Sequence, residues 1–534
     1  MKKGVIRTIH TLLLTLLIVF FFGGREARGV VQLMDGRLLL KGSFDEFWLL
    51  RTYIPKKERA WHDSNIGTFL STARFETFYN ILKKDDLTIN LQSIFRYYYE
   101  GITDLDRSMH SALAPGKRRE FQTPSYRHDD PIAELYLEVR KDRWNVRAGK
   151  QIVTWGETSL KRTTDVVNPL DLRHGQPGYM SFEDLKIGLW MLQCFYESEL
   201  PGGLLFETIF IPCDHQMMRI PPSGTNWGAG LLNPDNPRSI ANGLFPMFLD
   251  EWKDDAPSRR SISDYQWGIR IRGIIKRVDW TLQYFDAVDF LPTGIPNRVN
   301  QQTFAYFLSG GDIGNTKVAD RIWSYKRTKY VGGILRWLEE EYFKGVIRAE
   351  VGYQIGKHYN TVNLRGKDVY VPPFSAGGLN WPGGYSDQTS LVTGVVKRDA
   401  FGFGLAFDRP IQWPWLMKYN DGRVLSVTFQ FFEDWILRHS RDLSISGRGR
   451  GDRNVTGFSL QLQTTWFHQE LTTTSTSFYD ASGTGYNGID FTYAPGDHWR
   501  YQTGFLFFYS FTQWDQEANS YDKDMFYFRV KYEW

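Results

Sequence analysis

Cysteine is nearly absent from this chain: its 534 residues hold two, Cys194 and Cys213. That excludes a disulfide-stapled scaffold and a cysteine-rich zinc site. The pair flanks a tight turn, but symmetric pairing about Pro201-Gly202 sets Cys194 opposite Ile209, so a bond between the two cysteines stays open. No CxxCH occurs, and no haem or other cofactor is expected. Long apolar runs are missing too. Outside the N-terminus no stretch reaches ~18 apolar residues, which rules out a bundle of membrane-spanning helices. Nor does one sign of charge dominate, since 64 Lys and Arg face 60 Asp and Glu, a formal +4. Residues 1–29 alone carry five cations (Lys2, Lys3, Arg7, Arg25, Arg28) against Glu26. The remainder is near neutral, and no nucleic-acid partner is implied.

Those first residues read as a secretory signal. A basic start precedes an apolar stretch, Leu12 to Phe22, too short to span a membrane, and Ala27-Arg28-Gly29 fits a small-x-small cleavage site. The expected organisation is a signal peptide over 1–29 and one domain over 30–534.

Aromatics are plentiful, with 38 Phe, 28 Tyr and 19 Trp, a load suited to the ring girdles of a membrane barrel. The last ten residues, MFYFRVKYEW, show the pattern most plainly. Phe526, Phe528, Val530, Tyr532 and Trp534 form an unbroken apolar row, while Arg529, Lys531 and Glu533 fall between. A strict period of two is a strand with one greasy and one wet face. At the end of a soluble chain it would be an aggregation-prone edge. In a closed barrel it is the seam, apolar row toward lipid. It also resembles the terminal signal by which the barrel assembly machinery recognises bacterial outer-membrane barrels.

The rest of the sequence repeats this alternation, with tight turns and long polar loops taking turns between strands. Strands are expected near 36–50, 69–82, 87–99, 132–140, 144–153, 189–199, 204–211, 264–275, 280–286, 325–337, 346–356, 390–396, 401–407, 424–435, 458–468, 489–493, 501–509 and at the C-terminus. The spacing predicts turns at Arg398-Asp399 and Pro495-Gly496-Asp497, and leaves an untidily long link from Arg438 to Val455. The fold class is therefore all-β: a closed antiparallel transmembrane barrel of 16 to 18 strands, with short periplasmic turns and long extracellular loops.

Parity assigns the faces. Trp267, Ile269 and Ile271 point one way, Arg270 and Arg272 the other. Arg or Lys on lipid costs roughly 2–4 kcal/mol at the midplane. Arg74, Glu76, Arg96, Glu138, Arg147, Arg270, Arg272, Arg348, Glu350, Arg529 and Lys531 are therefore expected to line the lumen. Eight are cations and three anions, which either favours anions or reflects charges paired across neighbouring strands.

Residues 144–171 contain Arg147-Ala148-Gly149-Lys150-Gln151, Trp155-Gly156-Glu157 and Asn168-Pro169-Leu170-Asp171. With the Pro201-Gly202-Gly203 turn, this stretch resembles a family of Gram-negative outer-membrane proteins catalogued as domain of unknown function 1302. The resemblance implies an outer-membrane barrel, sometimes linked with uptake of hydrophobic compounds, and transfers no catalytic residue; the Arg/Gly-rich link near Arg448 departs from it. On the residues alone, Gly149 could permit a bulge, and Lys150, on the lipid face by parity, needs a bulge or a rim position. Trp155, Gly156 and Glu157 are expected at the barrel mouth, Trp155 as a girdle ring and Asn168-Pro169 as a turn starter. The following loop, Thr158 to Ile187, is long enough to fold inward as a constriction.

The function these features favour is a porin-like channel for small solutes, anionic or hydrophobic, sitting among outer-membrane lipids. The alternative is a structural sheath around a periplasmic or surface partner such as an electron-transfer cytochrome. An enzyme is disfavoured: the histidines lie on loops or strand ends, and His439-Ser440 are adjacent in sequence, a poor nucleophile–base geometry. Cys213-Asp214-His215 is a weak metal signal.

Overall fold

A computed structural model describes residues 30–52, 65–106, 110, 115–126, 129–158, 162–175, 180–200, 202–219, 262–290, 321–362, 392–420, 422–440, 453–481, 483–510 and 524–534, and short pieces within 253–255, 293–294, 369–386 and 443–444. The expected signal peptide and the Arg448 region lie outside them. The strands are Leu38–Arg51 (β1), Ile66–Lys84 (β2), Leu87–Glu100 (β3), Ile132–Lys141 (β4), Trp144–Gln151 (β5) and Leu189–Glu197 (β6). Next come Leu205–Ile211 (β7), Gln266–Ile275 (β8), Val278–Val288 (β9), Arg327–Glu339 (β10), Gly345–Val362 (β11) and Val392–Ile411 (β12). Leu425–Ile436 (β13), Asn454–Trp466 (β14), Leu471–Asp480 (β15), Thr484–Tyr493 (β16), Trp499–Ser510 (β17) and Met525–Glu533 (β18) complete the set.

Each strand pairs antiparallel with the next. The ring closes where β1 meets β18, from Ser43 opposite Glu533 to Arg51 opposite Met525. Closure leaves no free sheet edge, which is why so apolar an exterior is tolerated. Outward-facing Phe75, Leu137, Leu282, Leu335, Val351, Phe458, Phe505 and Phe528 are all exposed. On a water-soluble protein such a surface would aggregate; here it is the lipid face of a transmembrane barrel.

Trp534 completes the seam. Its backbone exchanges hydrogen bonds with Gly42 of β1 at 3.1 and 3.0 Å, and its ring meets Phe75 of β2 edge-on at 5.7 Å. A Cβ on Gly42 would sit 2.0 Å from that indole, so only glycine fits beneath it.

Sixteen to eighteen strands are expected and eighteen are found, but two assignments change. Arg398-Asp399 is not a turn. β12 runs straight through it, and Asp399 accepts hydrogen bonds from the Gly356 N–H (2.8 Å) and the Tyr353 hydroxyl (2.9 Å) at a bulge in β11. Conversely, β15 is a strand that the alternation does not predict. Its sequence LTTTSTSFYD has little apolar alternation, because Thr and Ser serve either face while still favouring extended backbone. With both corrections the ends of the link after β13 fall on the rim of long loops. Glu46 breaks the rule that charges face inward. It lies in the outward row between Phe44 and Trp48, with the Ser71 hydroxyl donating to it at 2.8 Å.

Candidate functional site

The described residues of the segment after β5 (152–158, 162–175 and 180–188) do not leave the barrel. They fold into the lumen and are tied to both sides of the wall. On one side Glu350 of β11, fully buried, accepts from the N–H groups of Glu157 and Thr158 (both 2.6 Å), the Thr164 N–H (3.0 Å) and the Thr164 hydroxyl (2.9 Å). Four donors on one carboxylate make a charge-assisted pin. Beside it, Arg348 grips Asp408 in a two-point pair at 2.7 and 2.8 Å and donates to the Glu157 carbonyl. The wall has been thinned to admit the loop. A Cβ on inward-facing Gly268 would come within 2.8 Å of the Trp155 ring, and one on Gly402 within 2.7 Å of Thr163.

On the opposite side a one-turn helix, Phe182–Leu185 (α1), is capped by the Ser181 hydroxyl, which accepts from the Asp184 N–H. Asp184 pairs with Arg74 of β2 at 3.0 Å, and its carbonyl accepts from Arg96 of β3. Burial pushes the Asp184 carboxyl up, but Arg96, the Ser181 hydroxyl, Arg74 and Arg529 together hold it below its ordinary value. Behind α1 lies a cavity of about 200 Å³ lined by Arg74, Arg96, Glu134, Thr154, Glu183 and Asp184, with Ile94 and Ile152 among its apolar walls.

The loop also holds itself together. Asn168 accepts from the Val153 N–H (2.8 Å) and donates to the carbonyls of Gln151 (3.1 Å) and Ile187 (2.8 Å), clasping the loop's two ends. Lys186 and Asp165 form a buried ion pair at 2.7 Å; Lys186 donates also to the Val153 carbonyl and the Thr154 hydroxyl. Burial lowers the lysine's pKa, and Asp165 offsets that only in part. At the outer end Asp171 binds Arg173 at 2.6 Å and Arg219 at 3.5 Å. Burial raises the Asp171 carboxyl, but the two arginines hold it well below the usual carboxylate range.

Several expected positions change here. Trp155 is no girdle ring at the mouth. It is fully buried inside the barrel, its indole N–H donating to Glu207 at 2.9 Å and its ring edge-on to Phe285. Gly156 and Glu157 follow it inward, because the backbone donors of that turn find Glu350. Asn168 is a clasp rather than a turn starter. Gly149 makes no bulge; the β4–β5 register runs unbroken past it, and the residue adopts φ +141° where a Cβ would strike the Leu135 carbonyl. Lys150 keeps its outward parity and lies buried at the rim, donating to the Asp129 carbonyl at 2.8 Å. Cys194 and Cys213 are free thiols.

The lumen-facing charges are mostly spoken for. Arg74 also meets Glu76 (2.8 Å), Arg147 meets Glu138 (2.9 Å), Arg529 meets Asp45, and Lys531 meets Glu533 (2.6 Å). Arg270 is buried near Glu207 (3.8 Å) with Trp155 under its guanidinium. The eight-to-three tally was therefore incomplete. It omitted inward carboxylates such as Asp45, Glu134, Glu207 and Asp408, all legible by parity. Among the described residues, Arg96 and Arg272 alone of those eight cations have no carboxylate within 4 Å. Asp165, Asp184 and Lys186 carried no sequence signal, because a loop has no period to read.

The model of the family described as "Protein of unknown function (DUF1302)" matches residues 82–533. No curated relative matches the sequence. Among solved structures the chain is similar to Acinetobacter baumannii OccAB4, at 9% identity over 93% of this chain and 97% of that one, TM-score 0.45. It is also similar to Pseudomonas aeruginosa OpdK with vanillate (8% identity, 93% and 98%, TM-score 0.40) and to Salmonella typhi OmpF in complex with daunomycin (9%, 93% and 97%, TM-score 0.38).

Proposed function

The chain belongs to the DUF1302 family, and from that membership and the geometry above we propose that it is an outer-membrane channel for small solutes. The observation that carries this reading is the loop pinned across a closed, polar-lined barrel, by Glu350 on one side and Arg74 and Arg96 on the other. A barrel of this strand number leaves an aqueous bore unless something narrows it, and the loop narrows it at a fixed place. The rim of short turns faces the periplasm, the long loops face outward, and the terminal row ending in Trp534 is the signal presented to the barrel assembly machinery. A sheath around a partner protein would want the bore clear, which speaks against that alternative.

Selectivity should be weak, because most inward arginines are neutralised by their partners. Arg96 and Arg272 supply a slight preference for anions. The test is conduction in planar bilayers by protein whose folding is verified from heat-modifiable gel mobility. Discrete conducting steps are expected, with a mild anion preference that Arg96→Gln plus Arg272→Gln removes. Folded protein that never conducts would overturn the channel reading.

A further inference from the structure

The outer wall carries a groove of about 600 Å³ at the rim of short turns, between β8, β9 and β10. Ile275, Val278, Trp280, Leu335 and Trp337 line it, with Lys276 and Arg277 at its end. These apolar side chains share the outward row, Ile275 opposite Val278 and Trp280 opposite Leu335. Beside Trp280 stands Gly273, where a Cβ would lie 2.8 Å from the indole, so the ring can lie over the strand. Trp337 is exposed at this rim, and Trp at a barrel rim marks headgroup depth.

The charges at the groove's end come in two sets on adjoining turns. Lys276 and Arg277 are on the β8–β9 turn, Glu340 and Glu341 on the β10–β11 turn. The turns touch. The Leu338 N–H donates to the Arg277 carbonyl at 3.3 Å, and Arg277 lies 3.2 Å from Glu340. Glu339 is consumed by the turn itself, accepting from the N–H groups of Glu341, Tyr342 and Lys344. Among the described residues Lys276 and Glu341 have no ion-pair partner.

We propose that this groove holds one phospholipid whose headgroup carries both a phosphate and a primary ammonium. Its acyl chains lie along Trp280, Leu335 and Trp337, its phosphate meets Lys276 and Arg277, and its ammonium donates to Glu340 and Glu341. The charge pattern decides between lipids. A choline headgroup has no N–H to donate to the carboxylates. A glycerol headgroup brings a net negative charge to a rim whose own charges balance, and leaves the acidic turn unanswered. The site lies outside the lumen and does not depend on whether the barrel conducts.

The experiment reads lipid rather than current. Full-length protein is reconstituted with phosphatidylethanolamine, phosphatidylcholine or phosphatidylglycerol, extracted, and its retained lipid measured by native mass spectrometry. Phosphatidylethanolamine is expected to be held about tenfold more tightly than either other lipid, the scale that one or two interfacial charges provide. Glu340→Gln with Glu341→Gln should bring it down to the phosphatidylcholine level, and Lys276→Gln should weaken all three. Lys83→Gln with Lys84→Gln, at the β2–β3 turn, is the control and should change nothing. Equal retention of the choline lipid, tightest binding of the glycerol lipid, or an equal effect of the control pair would each overturn the proposal. Heat-modifiable mobility confirms that every variant has folded.

Discussion

Lys186 and Asp165 show how much of the inward loop rests on single side chains. Their pair is buried where neither ion can recover its hydration, so removing one partner strands the other. Lys186→Met should cost about 3–5 kcal/mol of local stability, and Lys186→Met with Asp165→Leu should recover much of it. Hydrogen exchange of the 152–188 amides reads this directly: fast exchange in the single variant and slower exchange in the double. Equal exchange in the two would mean that the pair is not what holds the loop. Asp184 adds a pH dependence. Its folded pKa lies below the unfolded value of about 3.9, so its contribution is complete above that value and is lost as pH falls through the lower, folded one. The α1 end of the loop should hold from neutral pH down to about 4 and loosen below it. Asp184→Asn should be loose at every pH, and a wild-type loop that stays protected in acid would contradict the assignment. Glu350, by contrast, was legible as an inward charge from strand parity alone; that it faces a loop rather than water was not, since its donors lie 186 to 193 residues away in sequence.

At the scale of elements, the terminal strand is where sequence and structure agree most closely. Its two-residue period gave the apolar row, and Trp534 ends that row packed over Gly42. Two substitutions test the joint from opposite sides. Trp534→Ser removes the ring, and Gly42→Val fills the space the ring occupies. Both should reduce the amount of heat-modifiable, folded barrel in the outer membrane while leaving the conductance of any assembled molecules unchanged, because the contact lies on the lipid face. Wild-type yields of both variants would sink this account. The elements that were misread share a cause. β15 is built of Thr and Ser, whose side chains satisfy lumen or lipid face without alternation. In β12 a charged pair in mid-strand imitates a turn, and only the bulge at Gly356 across the ladder explains it. Periodicity finds strands whose two faces differ in polarity and passes over those whose faces do not.

For the molecule as a whole, the barrel was legible because closure, alternation and segregated loop lengths all repeat along the chain. The strand count came out right only because one strand split in two offset one strand missed. The interior was legible in part. Parity placed the arginines inside but could not reveal that Asp45, Glu207 and Asp408 neutralise them, nor that the Trp155-Gly156-Glu157 turn dives inward instead of standing at the mouth. The Arg529–Asp45 pair depends on closure of the ring, the Arg270–Glu207 and Arg348–Asp408 pairs on the register of neighbouring strands, and the inward turn on contacts distant in sequence. The central claim is that the 152–188 loop, pinned across the lumen, sets the width of the path. Single-channel recording of the wild type against Glu350→Gln combined with Asp184→Asn tests it most directly, since these two changes release the pin and the tip without touching the wall's ladder. The released variant should show a larger unitary conductance with frequent transitions between levels. A folded double variant with the same conductance and the same steadiness as the wild type would contradict it.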